Sequence, residues 1–140
     1  MKNKFSYNFL KCGLIGWCLE CGWTGLLSLL ERDKSLTCRT SLWMLPIYGL
    51  AAFLLPISKK LKNKNILLRG GLYTLGIYFA EFTFGSILKK LNACPWDYSM
   101  EKFHYKGLIR FDFAPLWFLV GLLYENYLTW QSNYKVSKED

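Results

Sequence analysis

Histidine, acidic side chains and nucleotide-binding motifs are scarce or missing in this sequence. Its 140 residues include one histidine, His104, and only 10 aspartate and glutamate residues against 18 lysine and arginine residues. One histidine outside any cysteine or carboxylate cluster does not make a metal site, and we interpret His104 as part of an aromatic loop. No G-x-x-x-x-G-K-[ST] loop is present, so if ATP drives this protein, another subunit must bind it. We predict no metal and no cofactor.

The five cysteines do not form the framework of a metal site or of a disulfide-rich protein. Cys18 and Cys21 make a C-x-x-C pattern, but it lies in an apolar run, with no second pair and no histidine after it. The spacing therefore excludes a zinc or haem-attachment site, and the odd number argues against a secreted disulfide scaffold. We expect these cysteines to act as small, buried hydrophobic residues.

Charged residues occur in short blocks between long apolar runs. The net charge is +8, and 52% of the residues are hydrophobic. The lysines lie at the ends of the apolar runs, where their side chains can reach lipid headgroups. A surface that binds nucleic acid would instead place them along one face. The pattern is typical of a multi-pass protein of the cell membrane, with membrane lipids and no nucleic acid as partners.

The apolar runs predict four membrane spans, since one span needs about 20 mostly apolar residues. The first run lacks a small-x-small cleavage site, so we expect it to stay on the protein. The KKLKNKN segment is the densest basic block, which places it and both termini in the cytoplasm. We predict one integral membrane domain, 1–140, with an all-α fold: a polytopic transmembrane bundle of about four helices, with an aromatic interfacial loop before the last helix. The predicted spans are about 6–30, 41–58, 66–91 and 107–130.

Two glutamates lie deep within these runs, although a charged side chain at the centre of a bilayer costs roughly 2.5–3.5 kcal/mol. Helical spacing places each on a stripe of small or polar residues, which is typical of a surface that packs against other helices. Glu20 shares its face with Gly13, Gly16, Thr24 and Ser28, and Glu81 with Gly70, Thr74, Tyr78, Gly85 and Leu88. A stripe in the last span contains Gly107, Arg110, Ala114, Gly121 and Glu125. We expect both glutamates to face the bundle and Arg110 to pair with Glu81.

Three functions are compatible with these charges. They can hold helices together, with the carboxyl groups bonded to Trp17, Tyr78 or the backbone, in a structural or interaction subunit. They can line a polar cavity for a substrate, an ion or a proton, as carboxylates within a membrane commonly do. They can also serve an intramembrane enzyme, with Glu20 and Glu81 as acid and base. No nucleophile, metal cluster or cofactor motif accompanies the pair, so an enzymatic function is disfavoured, and the first two interpretations stay open.

Five segments carry a family resemblance and together cover most of the chain in order. They are Glu20 with Trp23, SLWMLPIYGL (41–50), AEFTFGSILKKL (80–91), WDYS (96–99) and GLIRFDFAPLWFLVGLLYE (107–125). In this combination the chain resembles the ABC-transporter type IV, or CmpB-like, family of small prokaryotic integral membrane proteins. It departs from the family pattern at FHYKG, which contains His104 where an asparagine-containing stretch is expected.

The resemblance implies a permease-like transport component that binds or passes a substrate at a polar site within the membrane. It also implies that the chain acts as a homo-oligomer or with a partner subunit such as a separate ATP-binding protein. The candidate substrate contacts are the charges within the spans, their aromatic neighbours and two residues of the WDYS segment: Glu20, Glu81, Arg110, Trp17, Tyr78, Trp96 and Asp97.

Overall fold

The protein is mostly helical. The computed structural model describes the backbone of residues 2–136 and the side chains of residues 4–134, so the predicted position of the termini falls outside the described residues. The helices are α1 (Lys2–Leu30), α2 (Met44–Gly49), α3 (Leu54–Leu61), α4 (Ile66–Lys90) and α5 (Ala114–Val136). A 3-10 turn, Leu50–Phe53, joins α2 to α3 in one continuous run, which leaves four helical segments.

Two of these segments are long and apolar enough to cross a membrane, judged by length and composition. They are Lys4–Leu30, within α1, and Met44–Leu61, which comprises α2, the 3-10 turn and α3. They correspond to the first two predicted spans. The other two helices carry charged residues inside their apolar stretches, and these charges are central to the candidate site described below.

A short β-hairpin precedes the last helix, so the prediction that the last span begins at about residue 107 is wrong. Strands β1 (His104–Tyr105) and β2 (Ile109–Arg110) pair antiparallel, with His104 opposite Arg110 and Tyr105 opposite Ile109. Lys106 and Gly107 have positive φ values, 53° and 71°, which turn the chain sharply and are incompatible with a continuous helix. Helix α5 therefore begins at Ala114 rather than at Gly107.

The chain divides into two compact units, 1–52 and 53–140. In the first unit α1 packs closely against α2 at Gly13, which has no side chain to separate the two helices. A Cβ atom added to Gly13 would lie 2.6 Å from the carbonyl oxygen of Leu45. The small stripe of α1 is thus a surface of close helix packing, as the sequence predicts.

In the second unit α4 and α5 run antiparallel and in close contact. Arg69, early in α4, meets Glu125 at the midpoint of α5, while Glu81, later in α4, lies beside Trp117 near the start of α5. Between these pairs, a Cβ atom added to Gly121 would lie 2.6 Å from the Cβ atom of Tyr73. The predicted inner face of α4 is confirmed, since five of its members are buried: Gly70, Thr74, Glu81, Gly85 and Leu88.

None of the five cysteines, all of which lie in the described part of the chain, forms a disulfide, and they do not share one environment. Cys12 is fully buried, as predicted, whereas Cys18 and Cys38 are exposed, so for these two the prediction is wrong. For Cys18 the reason is that α1 carries apolar residues around its whole circumference, and composition alone does not tell which side is covered.

Candidate functional site

Glu20 lies on the polar stripe of α1, and its carboxylate is bound by the segment that follows this helix. Its Oε2 atom accepts a hydrogen bond of 2.9 Å from the Thr40 hydroxyl. Farther along the stripe, the Ser28 hydroxyl donates to the carbonyl of Thr37 at 2.6 Å, and the Thr24 hydroxyl accepts from the backbone N–H of Arg39 at 2.9 Å. The polar stripe thus anchors the segment 37–40 against α1.

Trp17, one turn before Glu20, is half-buried. Its indole Nε1 atom has no hydrogen-bond partner among the described residues. The structure therefore provides no bond between Trp17 and the Glu20 carboxylate, which is one of the contacts expected if the charges only hold helices together.

Residues 92–113, which we call the cap, connect α4 to α5. The cap contains the predicted site residues Trp96, Asp97 and Arg110, and it contacts Tyr78 of α4. The Tyr78 hydroxyl is 3.3 Å from the carbonyl oxygen of Arg110 and 3.2 Å from that of Phe111, and donates to them. The indole N–H of Trp96 donates to the carbonyl of Leu108 at 3.1 Å. The Trp96 bond stabilises the cap internally, and the Tyr78 bonds attach the cap to the inner face of α4.

Asp97 stabilises the turn of the cap. Its Oδ1 atom accepts the backbone N–H of Ser99 at 3.0 Å, and this hydrogen bond lowers the pKa of the Asp97 carboxyl below its ordinary value. Gly107 has a φ of 71°, and a Cβ atom there would lie 2.7 Å from the same oxygen, so a side chain at this position would be strained. The ring of His104 accepts the Gly107 N–H through Nδ1 at 3.0 Å. Asp97 and His104 are therefore engaged in holding the loop.

Arg110 does not pair with Glu81, and this prediction is wrong. Its guanidinium binds Asp112 in a bidentate manner, with Nε 2.9 Å from Oδ1 and Nη2 2.9 Å from Oδ2, and its Nη1 is 3.1 Å from Glu101. The hydrogen bond and charge of Arg110 lower the pKa of the Asp112 carboxyl, and that bond raises the pKa of Arg110. The prediction assumed that Arg110 and Asp112 lie in one helix, where their side chains would point in different directions. Instead Arg110 lies in β2 and Asp112 in a 3-10 turn, and this backbone brings the two side chains together.

Glu81 is the predicted site residue with the least satisfied side chain. It is 9% exposed, and its Oε2 atom has no hydrogen-bond partner among the described residues. The indole of Trp117 approaches the carboxyl group, but its N–H does not reach the geometry of a hydrogen bond. The Tyr78 hydroxyl lies near enough to interact electrostatically with the carboxylates of Glu81 and Asp112. The structure thus brings together Glu81, Tyr78 and Trp117 beneath the cap.

A second polar cluster lies at the other end of α4 and α5, and sequence reasoning did not identify it as a site. Arg69 Nη2 is 3.6 Å from Glu125 Oε2, with side chains 23% and 10% exposed. The Tyr73 hydroxyl lies beside the Glu125 carboxylate without a well-formed hydrogen bond, and Arg69 Nε also has no partner among the described residues. Glu125 shows the same signal as Glu20 and Glu81, an acidic residue inside an apolar run, and that signal could have found it.

Trp117 was also missed, because a tryptophan in an apolar helix is indistinguishable in sequence from a lipid-facing residue. Only the antiparallel register of α4 and α5 places it against Glu81. The seven predicted site residues therefore fall into separate groups. Trp17 and Glu20 belong to the first unit, Trp96, Asp97 and Arg110 to the cap, and Tyr78 and Glu81 to the inner face of α4.

Comparison with known proteins agrees with the resemblance seen in the sequence. No solved structure matches this chain. A family model described as "Putative ABC-transporter type IV" matches residues 7–138. Together with the two helical segments able to cross a membrane, this match points to a membrane protein with a transport-related role. The chain belongs to the family described as "Putative ABC-transporter type IV".

Proposed function

We propose that the chain is a permease-like component of an ABC-type transport system that crosses the cell membrane several times. In this proposal α1, the run from α2 to α3, α4 and α5 are the four spans of one integral membrane domain. The family match over residues 7–138 supports a role in transport, and the two apolar segments Lys4–Leu30 and Met44–Leu61 support insertion. Helices α4 and α5 have 25 and 23 residues, enough for a bilayer that needs about 20.

The distribution of polar residues in α4 and α5 is the reverse of that in a water-soluble protein. Polar side chains are buried between the helices, among them Thr74, Glu81 and Glu125. Large apolar side chains point outward, with Phe79 73% and Leu123 61% exposed. In water such a surface would be unfavourable over so large an area, whereas lipid tails solvate it well. This distribution supports the placement of α4 and α5 in the membrane despite the charges they carry.

Glu81, with Tyr78 and Trp117, is the proposed polar contact for the transported substrate. A buried carboxylate oxygen without a partner carries a free-energy cost, and a hydrogen-bond donor or a cation on the substrate would relieve it. The unpartnered Oε2 atom of Glu81 is the observation that carries this assignment. Glu20 receives a structural role in the proposal, because Thr40 already binds its carboxylate.

Energy for transport comes, in this proposal, from a separate ATP-binding subunit. The sequence contains no G-x-x-x-x-G-K-[ST] loop, and backbone N–H groups of such a loop are what cradle the phosphates of ATP in transporter ATPases. A homo-oligomer of this chain alone would provide spans but no nucleotide site. The partner is therefore expected to contact the chain at the cytoplasmic surface.

Purification of the tagged chain from its own membranes in a mild detergent tests the proposal. We expect an ATP-binding protein to co-purify, and the reconstituted complex to hydrolyse ATP. Glu81→Gln should lower this hydrolysis by roughly tenfold or more, the equivalent of one lost hydrogen bond to a charged group, and leave the melting temperature almost unchanged.

Glu20→Gln is the matched control, since it removes the same charge from another span. It should retain most of the ATP hydrolysis. A monomeric chain that binds no ATP-binding subunit would contradict the transport proposal, and equal activity of the Glu81→Gln variant and the wild type would remove Glu81 from the site.

A further inference from the structure

A cleft of about 840 Å³ opens in the second unit between α3, the start of α4 and the stretch 119–133 of α5. Three of its lining side chains are cationic, namely Lys59, Lys62 and Arg69, and one is acidic, Glu125. Leucines, Ile66 at the start of α4, and amide or hydroxyl side chains complete the lining. We call this cavity the basic cleft. None of the residues predicted to bind substrate lines it.

The cations of the basic cleft have unused binding capacity. Neither Lys59 nor Lys62 forms an ion pair with a described residue, and both are exposed. Arg69 is 3.6 Å from its carboxylate partner, longer than the ~2.7–2.9 Å of a strong charged hydrogen bond, and its Nε atom has no partner among the described residues. The cleft can therefore accept an anionic group without breaking a well-formed ion pair.

The lining of the cleft changes from apolar to polar along its length. On α5 the apolar members Leu119 and Leu123 come before Asn126 and Asn133, and on α3 Leu55 comes before the lysines. Helices α3 and α5 run in the same direction, because each is antiparallel to α4. Their apolar portions therefore lie together at one end of the cleft, and their polar portions lie together at the other end, with the lysines. The ligand that fits such a cleft has an anionic head and an apolar tail.

We propose that the basic cleft binds one anionic phospholipid whose headgroup carries hydroxyl groups, such as phosphatidylglycerol. The phosphate contacts Lys59, Lys62 and Arg69, and one acyl chain follows the leucines of α5. The headgroup hydroxyls bond to Glu125 and the neighbouring amides, which a headgroup without donors cannot do. Basic pockets between spans at the cytoplasmic surface are suited to acidic lipids, since that leaflet is negatively charged. This inference rests on the proposed membrane placement of α3, α4 and α5.

Delipidated protein in an uncharged detergent provides the test, with bound lipid counted by native mass spectrometry and the melting temperature measured alongside. We expect one tightly bound phosphatidylglycerol and a higher melting temperature, with a much weaker effect of phosphatidylcholine. Lys59→Gln combined with Lys62→Gln should lower the affinity for phosphatidylglycerol by about tenfold or more. Lys60→Gln combined with Lys64→Gln removes the same charge from the same segment but not from the cleft, and should change the affinity by less than about threefold.

Each other outcome overturns the inference in a recognisable way. Equal losses in the two double variants would mean a diffuse attraction of the basic segment. Saturation by glycerol phosphate at the same concentration as the lipid would mean a site for a soluble anion. If the Lys59 and Lys62 variant fails to fold, Leu123→Gln, at an exposed position, replaces it and must weaken lipid binding. Extraction of the chain from membranes by alkaline carbonate would instead contradict the proposed membrane function itself.

Discussion

The two ends of the α4–α5 pair treat their polar groups in opposite ways. At the cap end, Arg110 forms a bidentate bond with Asp112, and the Tyr78 and Trp96 side chains donate to backbone carbonyls. At the end with the basic cleft, Arg69 and Glu125 are 3.6 Å apart, and the buried Oε1 atom of Gln131 has no partner among the described residues. At the cap end, which we call the closed end, these polar groups have hydrogen-bond partners. At the other end, which we call the open end, some of them lack a partner among the described residues.

This difference teaches that a conspicuous motif is not by itself a binding site. The WDYS segment and Arg110 attract attention in the sequence, yet their side chains are used to build the cap. Buried polar groups with unmet hydrogen-bonding capacity are energetically costly, and a ligand can relieve that cost. Within α4 and α5, the candidates for binding by this criterion are Glu81, beneath the cap, and the basic cleft at the opposite end.

The largest effect on stability is expected at the open end. Arg69→Met removes the cationic partner of a carboxylate that is 10% exposed, and should lower the free energy of unfolding by roughly 3 kcal/mol. Glu125→Gln should cost much less, and the double variant should recover part of the loss, because no buried charge is then left unpaired. Thermal melts in detergent measure all three. Arg39→Met, at an exposed position without an ion pair to a described residue, is the control. Strict additivity would show that Arg69 and Glu125 do not interact.

The next largest effect on stability is expected where α4 and α5 pack most closely, at Gly121 of α5 and Tyr73 of α4. Gly121→Ala should cost about 1–3 kcal/mol, because the added methyl group would lie 2.6 Å from the Cβ atom of Tyr73 and force the helices apart. Gly76→Ala is the matched control, since nothing lies within 4 Å of its added Cβ atom. That substitution should be neutral or stabilise by up to ~1 kcal/mol through helix propensity. Similar melting temperatures for the two variants would contradict the close packing of α4 and α5.

A smaller effect is expected at the closed end. Arg110→Gln should lower the melting temperature by less than Arg69→Met does, because Arg110 pairs with exposed carboxylates near solvent. Its effect should be coupled to Asp112→Asn and additive with Glu81→Gln. Coupling to Glu81 would restore the pairing that the sequence predicts and would contradict the geometry of the cap.

The smallest expected effect is the loss of stability at low pH. Hydrogen bonds in the cap, from Ser99 to Asp97 and from Arg110 to Asp112, hold the pKa of both carboxyls below the ordinary value of 3.8. Their contribution to stability is therefore complete above about pH 4 and is lost as the pH falls through the lowered values. The melting temperature of the wild type should fall more steeply as the pH drops below about 4 than that of an Asp97→Asn and Asp112→Asn double variant. Parallel curves would show that the cap does not bind these carboxylates in their charged form.

Much of the fold could be predicted from local patterns. The inner face of α4, with Gly70, Thr74 and Glu81, follows from helical spacing alone, and so does the stripe of α1 around Glu20. Hairpin residues were misassigned to a helix because Gly107 and Arg110 continue the same spacing by chance. The positive φ values at Lys106 and Gly107 that end this pattern have no unambiguous signal in an apolar run.

The sequence by itself determined where the long helical segments lie, which of their faces carry small or polar residues, and the family, since composition and periodicity act within a single segment. Only the tertiary structure decided which charges meet. The antiparallel register of α4 and α5 brings Arg69 to Glu125 and Trp117 to Glu81, while the hairpin turns Arg110 toward Asp112. Such pairings depend on distances between segments far apart in the chain, and no spacing within one segment contains that information.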